Sequence, residues 1–253
     1  MIDIEKFKTT PMGMAVAELS TRLQEKDLPP VSLNVIGGFA MMMRDLRDPY
    51  GFTDIDYVGS AFSKEFNDLA EEIGQKYNLG SGWINNDAML SGISVEDFEF
   101  ATGELHFEPA FTIGGITINV LEEPDLLRMK LISLDTSLTA VEQGGDFTRM
   151  KDFPDVQILM DRQGITPGQL DEEYGEYFIY DHTAEIIQTY YDEGEEGVLQ
   201  RVKSLQLLSS IELMREREYR LEPEKQSRYM QDLLDIMLVL VKERYSTPDS
   251  RKR

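Results

Sequence analysis

The sequence contains no cysteine, two histidines and one tryptophan among its 253 residues. The absence of cysteine excludes disulfide bonds, thiolate metal sites and cysteine nucleophiles. A metal site built on imidazoles, or a Ser-His-Asp triad, would have to use His106 or His182, and neither has a recognisable partner nearby in the sequence. Phosphate-loop, dinucleotide-binding, nucleophile-elbow and zinc-protease motifs are also absent. The chemistry that remains open is that of carboxylates.

A long hydrophobic run and a secretory leader are missing as well. The apolar run at 236–241 is far shorter than the ~20 residues that cross a bilayer. The first ten residues, MIDIEKFKTT, place acids where a signal peptide has basic and apolar residues. We therefore predict a cytoplasmic protein without a membrane partner.

Positive charge is scarce, and it is unevenly distributed. The chain has 47 acidic and 25 basic side chains, for a net charge of −22. Residues 1–200 hold 38 acidic and 13 basic side chains, whereas residues 201–253 hold 9 acidic and 12 basic ones. An acidic body repels phosphate backbones, so we predict no broad nucleic-acid binding.

The pattern of hydrophobic residues and breakers predicts an α+β protein, with an α/β half that has a mixed sheet, followed by a helical C-terminal region. The predicted domain boundary separates residues 1–165 from 166–253. The first half is predicted as a helix at 11–25, a strand at 31–36, a tight turn at Gly37-Gly38, a helix at 39–46, a strand at 53–58, a helix at 63–77 and a hairpin of strands at 104–111 and 115–122. Helices are then predicted from Pro124 to 134, from Pro154 to 160, from Pro167, and at 183–191, 195–215 and 225–245, with a linker at 192–197.

One pair of carboxylates is singled out by its spacing. Asp54 and Asp56 are one residue apart in a predicted strand, so both side chains should share one face, about 6 to 7 Å apart. Two such carboxylates repel unless a cation lies between them, and hard oxygen ligands suit Mg²⁺. The alternative is two solvated acids on an edge strand. Upstream, backbone N–H groups at Gly37-Gly38 could bind phosphate, unless the pair is a plain tight turn.

The stretch VIGGFAMMMRDLRDPYGFTDIDYV (35–58) resembles the nucleotide-binding motif of the polymerase-β-like nucleotidyltransferase superfamily. The closer resemblance is to the AbiE-type abortive-infection toxin nucleotidyltransferases, which also show Asp-x4-Lys and Lys-Asp-x2-Asp motifs. The corresponding residues here are Asp125-LLRM-Lys130 and Lys151-Asp152-FP-Asp155, and GWIN at 82–85 also resembles a segment of some relatives. The resemblance covers about residues 30–160.

This resemblance implies a nucleotidyltransferase-like domain at 1–165 and transfer of a nucleotidyl group from an NTP. It implies two Mg²⁺ ions held by Asp54 and Asp56, and donor binding at Gly37, Gly38 and Thr53. Lys130 and Asp152 complete the expected catalytic set. The acceptor would be a tRNA, a protein or a small molecule, and the protein would be the toxin of a toxin-antitoxin pair with an antitoxin partner.

Each of the later motif residues also has a structural interpretation. Lys130 either neutralises phosphate charge or is a surface lysine. Asp125 and Asp155 fit the helix dipole in a first helical turn, and Asp152 could cap the helix that Pro154 opens. Trp83 is predicted to pack in the core, with base stacking as the alternative.

Some positions depart from the family pattern. Relatives carry R-x-[ST]-x-D before the pair, whereas Tyr50 and Phe52 occupy those positions here, and a third carboxylate has no diagnostic motif. Three acids at 104, 108 and 122 are candidates for it by position. These departures keep two alternatives open: a catalytically silent nucleotide-binding or partner-binding relative, and an antibiotic-modifying nucleotidyltransferase whose acidity suits a cationic substrate.

Overall fold

The structure, a computed structural model, describes residues 1–48, 54–86, 103–143, 145–178, 182–220 and 227–245. The chain divides into two compact units. The first is formed by Met1–Leu131 with Asp155–Gly164, and the second by Ile132–Pro154 with Ile165–Arg253. Within the described residues, the first unit contains the sheet and the second is helical.

The first unit alternates helices and strands before its last strands pair as a hairpin. Its elements are α1 (Ile4–Lys8), α2 (Pro11–Glu25), β1 (Val31–Val35), α3 (Gly37–Met43), β2 (Ile55–Val58), α4 (Lys64–Lys76), β3 (Ile84–Asn85), β4 (Phe107–Ile113) and β5 (Ile116–Leu121). α5 (Glu123–Glu142) follows β5 and begins in this unit, and most of α6 (Phe153–Gln163) also belongs to it.

The five strands form one mixed sheet in the order β3-β2-β1-β5-β4. β1 is parallel to β5 and antiparallel to β2, β2 is parallel to β3, and β4 is antiparallel to β5. The predicted α+β class with a mixed sheet and a helical C-terminal region is therefore confirmed.

One face of the sheet is the core of this unit. Leu33 and Val35 of β1 are fully buried on that face, beside Ile118 and Val120 of β5. Phe7 of α1 packs against both Phe39 of α3 and Phe111 of β4, with ring centroids 6.0 and 5.3 Å apart. The predicted core roles of the three methionines of α3 and of Trp83 are confirmed, since all four are at most 1% exposed.

The opposite face of the sheet is polar along its two central strands. Ser32 and Asn34 of β1 lie beside Asn119 of β5. The Asn119 amide donates to Ser32 Oγ at 2.8 Å and to Asn34 Oδ1 at 2.9 Å. The alternation of the strands thus separates an apolar face from a polar one, as expected when helices cover one side.

Local sequence signals account for several element boundaries. The Thr10 hydroxyl accepts from the Gly13 N–H at 3.0 Å, and Pro11 occupies the first position of α2. The Ser63 hydroxyl caps α4 in the same way through Phe66 N–H. Gly114 adopts a φ of 52° at the β4–β5 turn, a conformation that glycine tolerates.

In the second unit, the described elements are the remainder of α5, the first residues of α6, α7 (Leu170–Tyr174), α8 (Thr183–Tyr219) and α9 (Arg228–Tyr245), with 3₁₀ turns at Met150–Asp152, Pro167–Gln169 and Gly175–Tyr177. The buried Thr183 hydroxyl donates to Asp135 at 2.7 Å and ties the start of α8 to α5. α8 and α9 pack through a small apolar core of Ile211, Leu234 and Leu238.

Two local predictions were wrong, and a third was confirmed only in part. Gly37 and Gly38 are the first residues of α3 rather than a separate turn, because the positive φ of Gly37 (63°) redirects the chain within one residue. The helix predicted to end at 134 continues to Glu142. The break predicted at 192–197 is present but shorter than predicted: two helical stretches meet within α8 at a kink, where Gly194 leaves helical geometry (φ 69°). The predicted turn around Pro49 lies outside the described residues. In the described part of the chain, no helix combines the length and apolar character needed to cross a bilayer.

Candidate functional site

The junction between β1 and α3 lies directly against β2. The Ile36 N–H donates to the Asp56 carbonyl at 3.0 Å, which extends the β1–β2 pairing to the first residue of the junction. A Cβ built on Gly37 would lie 3.0 Å from Asp56 Oδ2. The structure therefore brings Gly37 and the Asp56 carboxylate together, and both its φ and this proximity favour glycine at position 37.

The two predicted metal ligands differ in their surroundings. Asp54 is exposed and immediately precedes β2, so it lies just outside the strand in which it was predicted. Asp56 is partly buried within β2. Val58 pairs with Asn34, so Asp56, two residues earlier in β2, lies on the polar face of the sheet with Asn34. The Asp56 side chain thus lies where the polar face meets the start of α3.

The chemistry of this corner fits part of a magnesium site. Among the described residues, no group of three or more His, Cys, Asp or Glu side chains is arranged to hold a metal ion. Mg²⁺ is nevertheless often bound by one or two carboxylates together with substrate phosphates and water. Asp54 and Asp56 therefore fit the protein share of a magnesium–nucleotide site, and they do not form an all-protein cage.

The candidates for a third carboxylate have other positions. Glu108 forms an ion pair with Arg44 at 2.6 Å, and Arg44 Nε also donates to the Leu121 carbonyl at 2.8 Å. Glu108 is on β4, three strands from β2, or about 14 Å at the usual spacing between strands. It is too distant to share one ion with Asp56. Glu104 and Glu122 are exposed and lie outside the strands.

Lys130 lies in a buried ionic group rather than on the surface. Its residue exposure is 8%, and its Nζ is 2.8 Å from Asp155 Oδ2. Arg47 Nε donates to the other oxygen of Asp155 at 2.6 Å. Asp155 is 1% exposed, so one buried carboxylate holds two cations from distant parts of the sequence. The surface interpretation of Lys130 is wrong, and Asp155 does more than favour the helix dipole.

Asp125 holds the start of α5 to the residue before β4. Its buried carboxylate accepts from the His106 backbone N–H at 2.6 Å and pairs with Arg128 at 2.8 Å. His106 Nδ1 also lies 3.0 Å from this carboxylate. That hydrogen bond raises the pKa of His106 above its ordinary value.

The remaining predicted site residues are placed differently. Asp152 belongs to the second unit, where it is 1% exposed in a 3₁₀ turn with Arg149 3.6 Å away. Gly38 follows Gly37 in the first turn of α3. Thr53 lies outside the described residues, as do Tyr50 and Phe52.

Arg44, Arg47 and Asp155 were not recognised from the sequence as members of ionic groups. Arg47 and Asp155 are 108 residues apart, so no local spacing connects them. The only local signal was that Asp155, in the first turn of α6, is flanked by the apolar Pro154 and Val156.

The chain was compared with protein-family models, curated proteins and solved structures, and no match was found in any of the three comparisons.

Proposed function

We propose that this protein is a Mg²⁺-dependent nucleotidyltransferase that uses an NTP as donor. The observation that carries the proposal is the approach of Gly37 to the Asp56 carboxylate. A residue with minimal bulk at the end of β1 is thereby placed against an acid on the neighbouring strand, with Asp54 two residues away and exposed. This arrangement supports the resemblance of residues 35–58 to the nucleotidyltransferase motif.

In the proposed mechanism, Asp54 and Asp56 would hold the metal ions, and the backbone at Gly37 and Gly38, which has no side chain to block it, would let the triphosphate approach. Bound magnesium would neutralise phosphate charge and favour ionisation of the attacking hydroxyl. An acceptor oxygen bonds to the α-phosphorus while the bond to the departing pyrophosphate breaks, and the hydroxyl proton passes to water. From the resemblance, Thr53 is a further proposed donor-binding residue, and Lys130, whose Nζ is paired with Asp155, is a further proposed catalytic residue.

Thermal unfolding with each of the four NTPs, with and without Mg²⁺, tests donor binding. A ligand at a hundred times its dissociation constant adds about 2.7 kcal/mol to the folded state, so a raised midpoint should be visible. The shift should require Mg²⁺ and disappear in Asp54→Asn and Asp56→Asn. Asp27→Asn is the matched control, because Asp27 is an exposed acid whose positive φ (54°) asparagine tolerates. Equal shifts in all variants would sink the proposed site.

The lack of a three-carboxylate group among the described residues favours a second candidate, a nucleotide-binding protein without transferase activity. Pyrophosphate release and transfer of an α-phosphate label to tRNA, protein or small-molecule acceptors separate the two. Magnesium-dependent NTP binding without release or transfer would favour the second candidate.

We also propose, from the resemblance, that the protein acts as a toxin restrained by an antitoxin. Expression of the wild type should then arrest growth, and expression of Asp54→Asn at the same level should not. Arrest by both proteins would separate toxicity from the Asp54 site.

A further inference from the structure

Exposed apolar side chains are concentrated on the last two helices. On α8 they include Leu207 and Met214, which are 41% and 43% exposed. On α9 they include Ile236 and Leu240, at 57% and 58%. Large apolar patches on a protein surface mark sites of association. These side chains therefore leave apolar surface that the two helices do not cover for each other.

The two helices are antiparallel, because Arg215 pairs with Asp235 and Glu212 with Lys242. Their mutual contact direction is given by the apolar core together with the partly buried side chains packed against it. These are Leu208 and Ile211 on α8, and Leu234, Met237, Leu238 and Val241 on α9. At 3.6 residues per turn, successive side chains are rotated by about 100° around the helix axis. Leu207 and Met214 are therefore rotated by about 80° from the contact direction on α8, in the negative sense. The α9 side chains at 230, 233, 236 and 240 are rotated, on average, by about 100° from the contact direction on α9, also in the negative sense.

In an antiparallel pair, each helix can be viewed from its own N-terminus. Side chains that are then rotated in the same sense from the contact direction lie on the same side of the helix pair. The exposed side chains therefore form one continuous surface across both helices, which we call the apolar face. It consists of the exposed Leu207, Met214, Met230, Ile236 and Leu240, with the partly buried Leu233 between them.

We propose that the apolar face binds the same face of a second copy of this chain, forming a four-helix bundle across a two-fold axis. A two-fold contact needs a self-complementary surface, and a face built from apolar side chains meets that requirement. Two antiparallel helix pairs joined face to face also give a standard helical arrangement. This inference does not depend on the proposed activity.

The face is large enough to supply most of a standard dimer contact. α9 has 18 residues and is therefore about 27 Å long, and two packed helices are about 20 Å wide. The two helices therefore present a flat area of about 540 Å², and side chains that protrude from it add accessible surface. A standard interface buries about 800 Å² of accessible surface on each partner.

The charge distribution also favours a second copy of this chain as the partner. Residues 201–253 carry 12 basic and 9 acidic side chains, whereas residues 1–200 carry 13 and 38. Self-association through the acidic part would bring strong like charge together. Because the charge of the C-terminal segment is nearly balanced, two copies can meet there with little repulsion.

Sedimentation and light scattering of the full chain test this proposal. The wild type should have twice the 29.0 kDa mass of one chain at micromolar concentrations. Leu240→Glu should raise the dissociation constant by at least about 100-fold, because the symmetric contact would bury the new charge twice. Val239→Glu is the matched control, since Val239 is 54% exposed but points about 100° away from Leu240.

A second pair of variants, on α8, keeps the proposal testable if the α9 variants do not fold. Met214→Glu should dissociate the dimer, and Leu213→Glu, whose side chain is also exposed but points away from α9, should not. Circular dichroism establishes that each variant keeps its helices. A monomeric wild type, or equal behaviour of Val239→Glu and Leu240→Glu in the folded state, would overturn the proposal.

Discussion

The first unit contains two kinds of aspartate, and their surroundings differ. Asp125 and Asp155 are almost fully buried, and each contacts cationic side chains of the protein. Asp54 is exposed and Asp56 only partly buried, at the corner formed by β2 and Gly37. Burial of a charge is costly unless a partner compensates for it, and solvent-accessible carboxylates can exchange water for an external ion.

This difference separates motif residues that otherwise resemble one another. Asp125 and Asp155 belong to the Asp-x4-Lys and Lys-Asp-x2-Asp segments, and their contacts hold α5, α6 and the segment after α3 together. Asp54 and Asp56 are proposed to act on a ligand. Stability should therefore respond to the first pair of acids, and magnesium–nucleotide binding to the second.

The largest expected effect on stability is that of Asp155→Asn. It would leave Arg47 and Lys130 without their shared carboxylate, and loss of one partner in a buried ion pair costs about 3–5 kcal/mol. Urea unfolding measures the change in the free energy of unfolding. Asp54→Asn should change it by no more than about 0.5 kcal/mol, because Asp54 is exposed.

Asp68→Asn provides the matched control for a lost ion pair. The Asp68 and Lys64 side chains are 65% and 82% exposed, so the pair contributes little. A loss below about 1 kcal/mol for Asp155→Asn would show that the buried group does not stabilise the unit as inferred.

A smaller effect is expected from Gly37→Ala. Alanine at a positive φ costs about 1–2 kcal/mol, and the new methyl group would also lie 3.0 Å from Asp56 Oδ2. Gly164→Ala is the matched control, because Gly164 has a φ of 70° and open space around its Cβ position. Urea unfolding should give a larger loss for Gly37→Ala. Equal losses would mean that Asp56 moves freely away from the junction.

Elements with local signals were predicted well. Thr10-Pro11 and Ser63 mark helix starts through hydrogen bonds within four residues, and Gly114-Gly115 marks a hairpin. The pairing of β2 with β1 beside the β1–α3 junction was not predicted from the sequence, although consecutive strands often pair.

Features that depend on distant contacts were not predicted. The burial of Lys130 depends on Asp155, which is 25 residues later in the sequence, and on Arg47, which lies far earlier. The extension of α5 to Glu142 follows from a face that includes the fully buried Leu134, Leu138 and Val141. In both cases, tertiary packing overrides what the local pattern indicates.

The smallest expected effect is a pH dependence of stability, which comes from the hydrogen bond between His106 and the Asp125 carboxylate. Because the hydrogen bond to Asp125 raises the pKa of His106, the folded state binds the proton more tightly than the unfolded state. The resulting stabilisation is fully present below the ordinary histidine pKa of about 6.5 and is lost as the pH rises through the raised value. The stability difference between wild type and His106→Gln should therefore be larger at about pH 5.5 than at pH 8.5, and smaller in about 1 M salt. Urea unfolding at both pH values measures it, and a difference that grows with pH would mean that Asp125 does not hold protonated His106.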